Sequence, residues 1–441
     1  MSNFISQTSD GGDFDRIYMT SNSLFNMYLA NTTQATNSLY TNGYGAGTAN
    51  TLYGTYTNYP FNPYSSVSSP VLSDSKYGWK KIAGGQGLWG HHAGIKQDNT
   101  LLVWGDGTTT GYPLPIPLNT ANGYWLGDGT LSPRSSPVTI AGGGSWSNVA
   151  VSGIGGCAVK TDGTVWSWGY NYNGYLGNNN SSLITTLSPV SVSIGAGNTF
   201  TSVVTSASDV FNSLVGAVTL GIQTGGALGG TLWSWGSNVD GQLGDGTTSN
   251  RSSPVTVIGF PGTTWTQVAV GTRHAIGIQP LQPRIWAWGR DTAGQVGQGG
   301  AGGIYLSPVT VVGLGFGYFS SVAAGGENSA AIDNLGRLWI WGDNQNGQLG
   351  NGATNFYGNG SPVTVAGGGT DWKQIAFDSS SSTMALKTNG TLWGWGDNYY
   401  GQLGDGTTSN RSSPVSLVNF SGNTWSSIAA GAGNFHAIRQ Y

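Results

Sequence analysis

The chain has 441 residues, 16 Lys and Arg against 19 Asp and Glu, and a formal charge of −3. Glycine supplies 75 residues and tryptophan 18, while charged residues are only 8%. That balance argues against a nucleic-acid-binding protein, which usually shows a basic face or tail, and against a polybasic membrane anchor. With a single cysteine, Cys157, no intramolecular disulfide can form.

Residues 1–49 mix Ser, Thr and Asn with Phe14, Ile17, Phe25, Met27 and Tyr28. They read as an N-terminal arm or as extra strands, with an oligomer through this arm as one expectation. The first residues lack a basic segment followed by an apolar one, so a secretory signal is not expected and synthesis is cytoplasmic. No apolar run is long enough to span a bilayer.

From residue 50 to 441 three landmarks recur in order. Ser-Pro-Val begins at Ser69, Ser136, Ser188, Ser253, Ser307, Ser361 and Ser413, with gaps of 67, 52, 65, 54, 54 and 52 residues. Each copy is followed by an aromatic residue, two spacers and an apolar pair, as in Trp79-Lys80-Lys81-Ile82-Ala83 or Trp372 with Ile375-Ala376. Then comes Trp-x-Trp-Gly, at Trp166, Trp233, Trp286, Trp339 and Trp393, with a degenerate copy at Leu102-Val103-Trp104-Gly105. In a strand, residues i and i+2 share a face, so each Trp pair sets two rings against one neighbour. Asp162-Gly163 and Asn389-Gly390 stand before two of these strands and suit tight hairpins. The proline of Ser-Pro-Val lacks an N–H and suits a strand start or an edge.

These copies resemble the RCC1 repeat family. A period a little over fifty, the Trp-Gly strand end, the Gly-Gln-Leu-Gly-Asp-Gly connector at Gly241 and Gly401, and the Ser-Pro-Val step carry the resemblance. It implies an all-β fold, a seven-bladed β-propeller closed by N- and C-terminal strands that share one blade. Thr51-Leu52-Tyr53-Gly54 resembles Thr391-Leu392-Trp393-Gly394 and is the expected closing strand. The family includes a nucleotide-exchange factor with a basic tail that has no counterpart here, and a plant UV-B receptor. The receptor's Gly-Trp-Arg-His-Thr motif is only approached by Gly271-Thr272-Arg273-His274, so neither function is carried over.

Two stretches exceed the period. The first, around Gly107 to Gly127, holds Tyr112, Pro113, Tyr124 and Trp125; the second, around Thr205 to Gly230, holds Phe211, Leu214 and Val218. Loops on a rigid scaffold often carry function. The candidate binding residues are therefore Tyr112, Pro113, Tyr124, Trp125, Phe211 and Leu214, with Phe25 and Tyr28 in the arm. A tolerated insertion explains the same stretches equally well.

Catalytic chemistry is sparse. Glu327 is the only glutamate, and the histidines are His91, His92, His274 and His436. His274 and His436 read as occupying the repeat position of Cys157, Ser329 and Thr383, a tolerance that suggests packing. Asp128, Asp245 and Asp405 recur in Leu-Gly-Asp-Gly-Thr, where one carboxylate per loop fits a turn better than calcium. No cofactor, metal or catalytic residue is expected. The uncharged Gly, Ser, Thr and Asn surface points to a non-enzymatic binding or structural propeller in a phage virion or an extracellular setting, a tail adhesin or decoration protein. Its partners would be virion proteins, a host-surface receptor or glycans, without nucleic acid or membrane insertion. The alternatives are a monomeric protein-binding regulator or inhibitor, and a polysaccharide-binding or -cleaving protein.

Overall fold

Apolar alternation and glycine turns produce one recurrent unit, a four-stranded antiparallel meander. The structure, a computed structural model, describes residues 78–85, 91–105, 125–132, 134–206, 217–224, 230–259, 264–279, 284–314, 317–378, 381–399, 401–417, 424–431 and 434–440, together with strand backbones at 14–15, 29–30, 38–43 and 71–74. Among them, six blades each use four consecutive strands. Blade 1 is Trp79–Gly84, His91–Lys96, Leu101–Gly105 and Arg134–Thr139. Blade 2 is Trp146–Ser152, Gly155–Lys160, Val165–Tyr170 and Thr185–Ser191. Blade 3 is Thr199–Thr205, Val218–Thr224, Leu232–Gly236 and Arg251–Thr256. Blade 4 is Gln267–Val270, His274–Gln279, Arg284–Arg290 and Ile304–Thr310. Blade 5 is Phe319–Gly325, Asn328–Asp333, Leu338–Asn344 and Asn355–Thr364. Blade 6 is Trp372–Phe377, Ser382–Lys387, Leu392–Gly396 and Arg411–Ser416.

The expectation of seven blades is corrected to six. Among the described residues, six stretches of chain each supply the four consecutive strands of a blade. The remaining four-stranded sheet is a composite: Thr424–Ala430 and Asn434–Gln440 continue into Ser38–Gly43 and Val71–Asp74 from the far end of the chain. Ser38 lies opposite Arg439 and Gly43 opposite Asn434. The strand that meets the C-terminal hairpin is therefore Ser38–Gly43, within residues 1–49, while Thr51–Gly54 lies outside the described residues. Phe14–Asp15 pairs separately with Leu29–Ala30.

The landmarks fall where their chemistry suits them. Six of the Ser-Pro-Val prolines, from Pro137 to Pro414, sit in the outermost strands, where a missing N–H breaks no internal ladder. Of each Trp pair, the second ring is fully buried: Trp168, Trp235, Trp288, Trp341 and Trp395. Four of these donate Nε1–H to a connector carbonyl of the preceding blade. Trp235 meets Tyr175 O at 3.1 Å, Trp288 meets Gln242 O at 3.0 Å, and Trp341 and Trp395 meet Gln295 O and Gln348 O at 2.9 Å. The Gly-Gln-Leu-Gly connector is thus the wedge that joins one blade to the next. Its last glycine is required at Gly350, where φ is +62° and a Cβ would meet the Trp395 ring.

A buried asparagine shapes each connector from within. Asn238 Oδ1 accepts from Leu243 N at 2.9 Å, while its Nδ2 donates to Thr247 O and Ser249 O. Asn398 repeats this with Leu403 N, Thr407 O and Ser409 O, and Asn171 and Asn344 follow the same plan. In blade 4 the position belongs to Asp291, which accepts from Val296 N at 2.8 Å but has no amide donor.

Candidate functional site

The antiparallel meander sends the connections between first and second strands, and between third and fourth, to one end of the ring. This upper face carries Val239 and Tyr399, 45% and 72% exposed. The same face carries a charged cluster built from blades 3 to 5, which Val239 adjoins through Asp240. Arg273 Nη1 meets Asp240 Oδ2 at 3.3 Å, with both side chains largely covered. Burial raises the Glu327 carboxyl above its usual range, while the nearby Arg290 and Arg273 charges act in the opposite sense. Asp343 and Asp397 are likewise raised by burial, and each accepts from a connector glutamine, Gln348 Nε2 at 2.7 Å and Gln402 Nε2 at 2.9 Å.

The inner strands surround a central channel of about 470 Å³, lined by Lys81, Asn148, Ser202, Gln267, Thr266 and Ser320 among others. Several of these are the spacers of the second landmark. Around the ring the second spacer runs Lys81, Asn148, Ser202, Gln267, Ser321, Gln374 and Ser427. The long amides clasp the next inner strand: Asn148 Oδ1 accepts from Val203 N at 3.3 Å, Gln267 Oε1 from Val322 N at 3.1 Å, and Gln374 Oε1 from Ile428 N at 3.1 Å. Each donating N–H follows a register shift in its strand. Lys81 carries no acceptor for such a clasp. Burial lowers its amine from the ordinary lysine range to about 8.

The sequence candidates fall differently. Tyr112, Pro113, Tyr124, Phe211, Leu214, Phe25 and Tyr28 lie outside the described residues. Trp125 is buried, 3% exposed, against Ile154, Tyr170, Tyr175, Leu176 and Ala217. It stands where other connectors have Gln, ahead of Leu126-Gly127-Asp128-Gly129, a signal already present in the sequence. Val218, assigned to the second insertion, is a fully buried strand residue; the second strand of blade 3 runs through that stretch. The long connections at 106–124 and 207–216 both leave from strand ends at the upper face.

His274, Ser329, Thr383, Cys157 and His436 do not share one register. Ser329 and Thr383 face Trp341 and Trp395, Cys157 faces Ser167, and His274 faces Gly289. They nevertheless act between blades. His274 Nε2 lies 2.8 Å from Ser329 Oγ, which donates to Gln295 O, and His436 Nε2 lies 3.0 Å from His92 Nδ1. Burial lowers His274 to about 4 and His436 to about 3, and raises the Cys157 thiol far above its usual range. Asp245 Oδ1 accepts from Thr247 N at 3.0 Å, and Asp245 Oδ2 accepts from Arg251 Nε at 2.7 Å; Asp128 and Asp405 repeat the turn. No group of three His, Cys, Asp or Glu suited to a metal occurs among the described residues.

Blades wedged together by Trp and Gly-Gln-Leu-Gly around a polar channel define a repeat propeller. The Regulator of chromosome condensation (RCC1) repeat matches residues 162–209, 229–278, 284–332, 336–386 and 389–438. The chain belongs to the RCC1 repeat family. It is similar to the Ultraviolet-B receptor UVR8 of Arabidopsis thaliana, 30% identical over 46% of each chain. It is also similar to the E3 ubiquitin-protein ligase HERC2 of Homo sapiens, 27% identical over 62% of this chain and 5% of that one. The chain thus spans less than half the length of these curated relatives. In fold it resembles Prp20p from Saccharomyces cerevisiae, with TM-score 0.71, 16% identity and 92% of each chain covered. It also resembles human WBSCR16, with TM-score 0.70, 19% identity, and 92% and 99% covered.

Proposed function

We propose that this propeller is a protein-binding regulatory module whose upper face receives the partner. The observation that carries the reading is that face itself: exposed Val239 adjoins Asp240 of the Asp240–Arg273 pair, and exposed Tyr399 and Glu327 lie on the same face. Apolar residues ringed by partly buried charge suit a protein partner. Solved relatives support it, since Prp20p was studied for binding Gsp1p and histones and was also solved with Kap60 bound. These relatives favour the regulator reading over a virion component.

The test is affinity capture from cells of the source organism with three proteins. The wild type and a lower-face variant, Leu335→Asp, are expected to recover the same partner. A Val239→Asp/Tyr399→Asp variant is expected to lose it. Equal recovery by all three would remove the upper face from the proposal.

A further inference from the structure

We propose that the central channel is a binding site for one small anion, a carboxylate or a phosphate, held by the Lys81 ammonium. Four observations converge on it. Lys81 lines the channel, and among the described residues it has no hydrogen-bond or ion-pair partner. No carboxylate lines the cavity with it. The amide oxygens of Asn148 and Gln267 are held by Val203 N and Val322 N of the following blades, so the NH₂ groups are what these two lining residues offer to a ligand. Ser202 adds a hydroxyl that can donate, while those of Thr266 and Ser320 already donate to Ile278 O and Ile332 O.

The ammonium and amide groups that this wall leaves uncommitted are donors. Lys81 is half-buried, and a partly desolvated cation without a partner is costly; an oxyanion that accepts from the ammonium and the amides removes that cost. The ring arrangement explains why the lysine is there. Proceeding from Asn148, long and short second spacers alternate: Asn148, Ser202, Gln267, Ser321, Gln374, Ser427. Lys81 closes the series next to Asn148, where two long side chains meet, and it replaces a clasp with a charge. At about 470 Å³ the cavity admits a small anionic molecule. The site is separate from the upper-face reading, and its failure would leave that reading intact.

Calorimetric titration of the full chain with acetate and with inorganic phosphate tests the assignment. Saturable one-to-one binding is expected for at least one of the two, and the stronger one identifies the head group. Lys81→Met should weaken it about ten- to a hundred-fold, the loss of one charge-assisted contact. Lys81→Arg should retain most of it. The amine is lowered to about 8, so affinity should fall as pH rises from 7 to 9.5. A nitrogen-15 titration of the wild-type lysine, which needs no variant to fold, should show its deprotonation moving to higher pH in saturating anion. The absence of saturable binding, a Lys81→Met protein that binds like the wild type, or an unmoved lysine titration would each overturn the site.

Discussion

Asp291→Asn is expected to stabilise the protein, and the gain should depend on pH. Asp291 is 1% exposed and stands where blades 2, 3, 5 and 6 carry an asparagine that donates to two or more connector oxygens. Burial raises its carboxyl from 3.8 to about 6. A carboxyl with a raised folded-state pKa costs nothing below pH 3.8, where both states are protonated. The cost grows between pH 3.8 and 6 and is complete above that. The difference corresponds to about 3 kcal/mol at pH 7.5. For a chain of this length the unfolding entropy converts that into a rise in Tm of about 3 °C. Thermal melts of wild type and variant at pH 4 and pH 7.5 check it, because the gain should be present at the higher pH and mostly absent at the lower. A variant no more stable at pH 7.5, or one equally stabilised at both, would refute the claim that a buried charge is what distinguishes this blade.

The buried histidines should act in the opposite direction. His274 and His436 are held neutral with folded values of about 4 and about 3, so their contribution is intact above pH 6.5 and is lost as pH falls from 6.5 toward those values. Each should cost about 2 kcal/mol by pH 5, seen as a falling Tm that is cleanest in the Asp291→Asn background. Trp395→Ala removes a fully buried ring and its bond to Gln348 O, and should cost about 3–5 kcal/mol in a denaturant midpoint. Gln374→Leu strands the Ile428 N–H and should cost about 1–3 kcal/mol, with faster hydrogen exchange at Ile428. Asp405→Ala should cost about 1–2 kcal/mol through lost bonds to Thr407 and Arg411, while added calcium should leave the wild-type Tm unchanged.

The repeat was legible because it is written in packing residues. Trp, Gly and Pro each have few places where they fit, so their order marks the inner strand, the wedge and the outer edge. That strands from the two ends of the chain share one sheet was legible too, but not which N-terminal strand takes part. Ser38–Gly43 joins Asn434–Gln440 through backbone hydrogen bonds, which leave no residue signature, and resemblance to Thr391–Gly394 pointed to Thr51–Gly54 instead. At Trp125 a bulky aromatic replaces the connector glutamine, and the Leu126-Gly127-Asp128 that continues the motif is the signal for its buried place. The roles of Lys81 and Asp291 are not legible in the sequence for a related reason. Each departs from the type used at its position in most other blades, and such a departure acquires meaning only once registers are aligned in space.

The composite sheet ties the end of folding to the ends of the chain. Six blades can assemble from local meanders whose contacts are close in sequence. The pairing of Ser38 with Arg439 spans nearly the whole polypeptide, and such distant contacts form slowly. Until it forms, the C-terminal hairpin presents an open edge to any strand of matching register, including Ser38–Gly43 of another molecule. A deletion of residues 1–40 would cut into that strand, so an oligomer lost or gained on such truncation would report exchange of this strand between copies as readily as docking by an arm. At high concentration during refolding, the same edge would favour dimers that trade their N-terminal strands, because an exchanged pair satisfies the same backbone bonds as a closed ring.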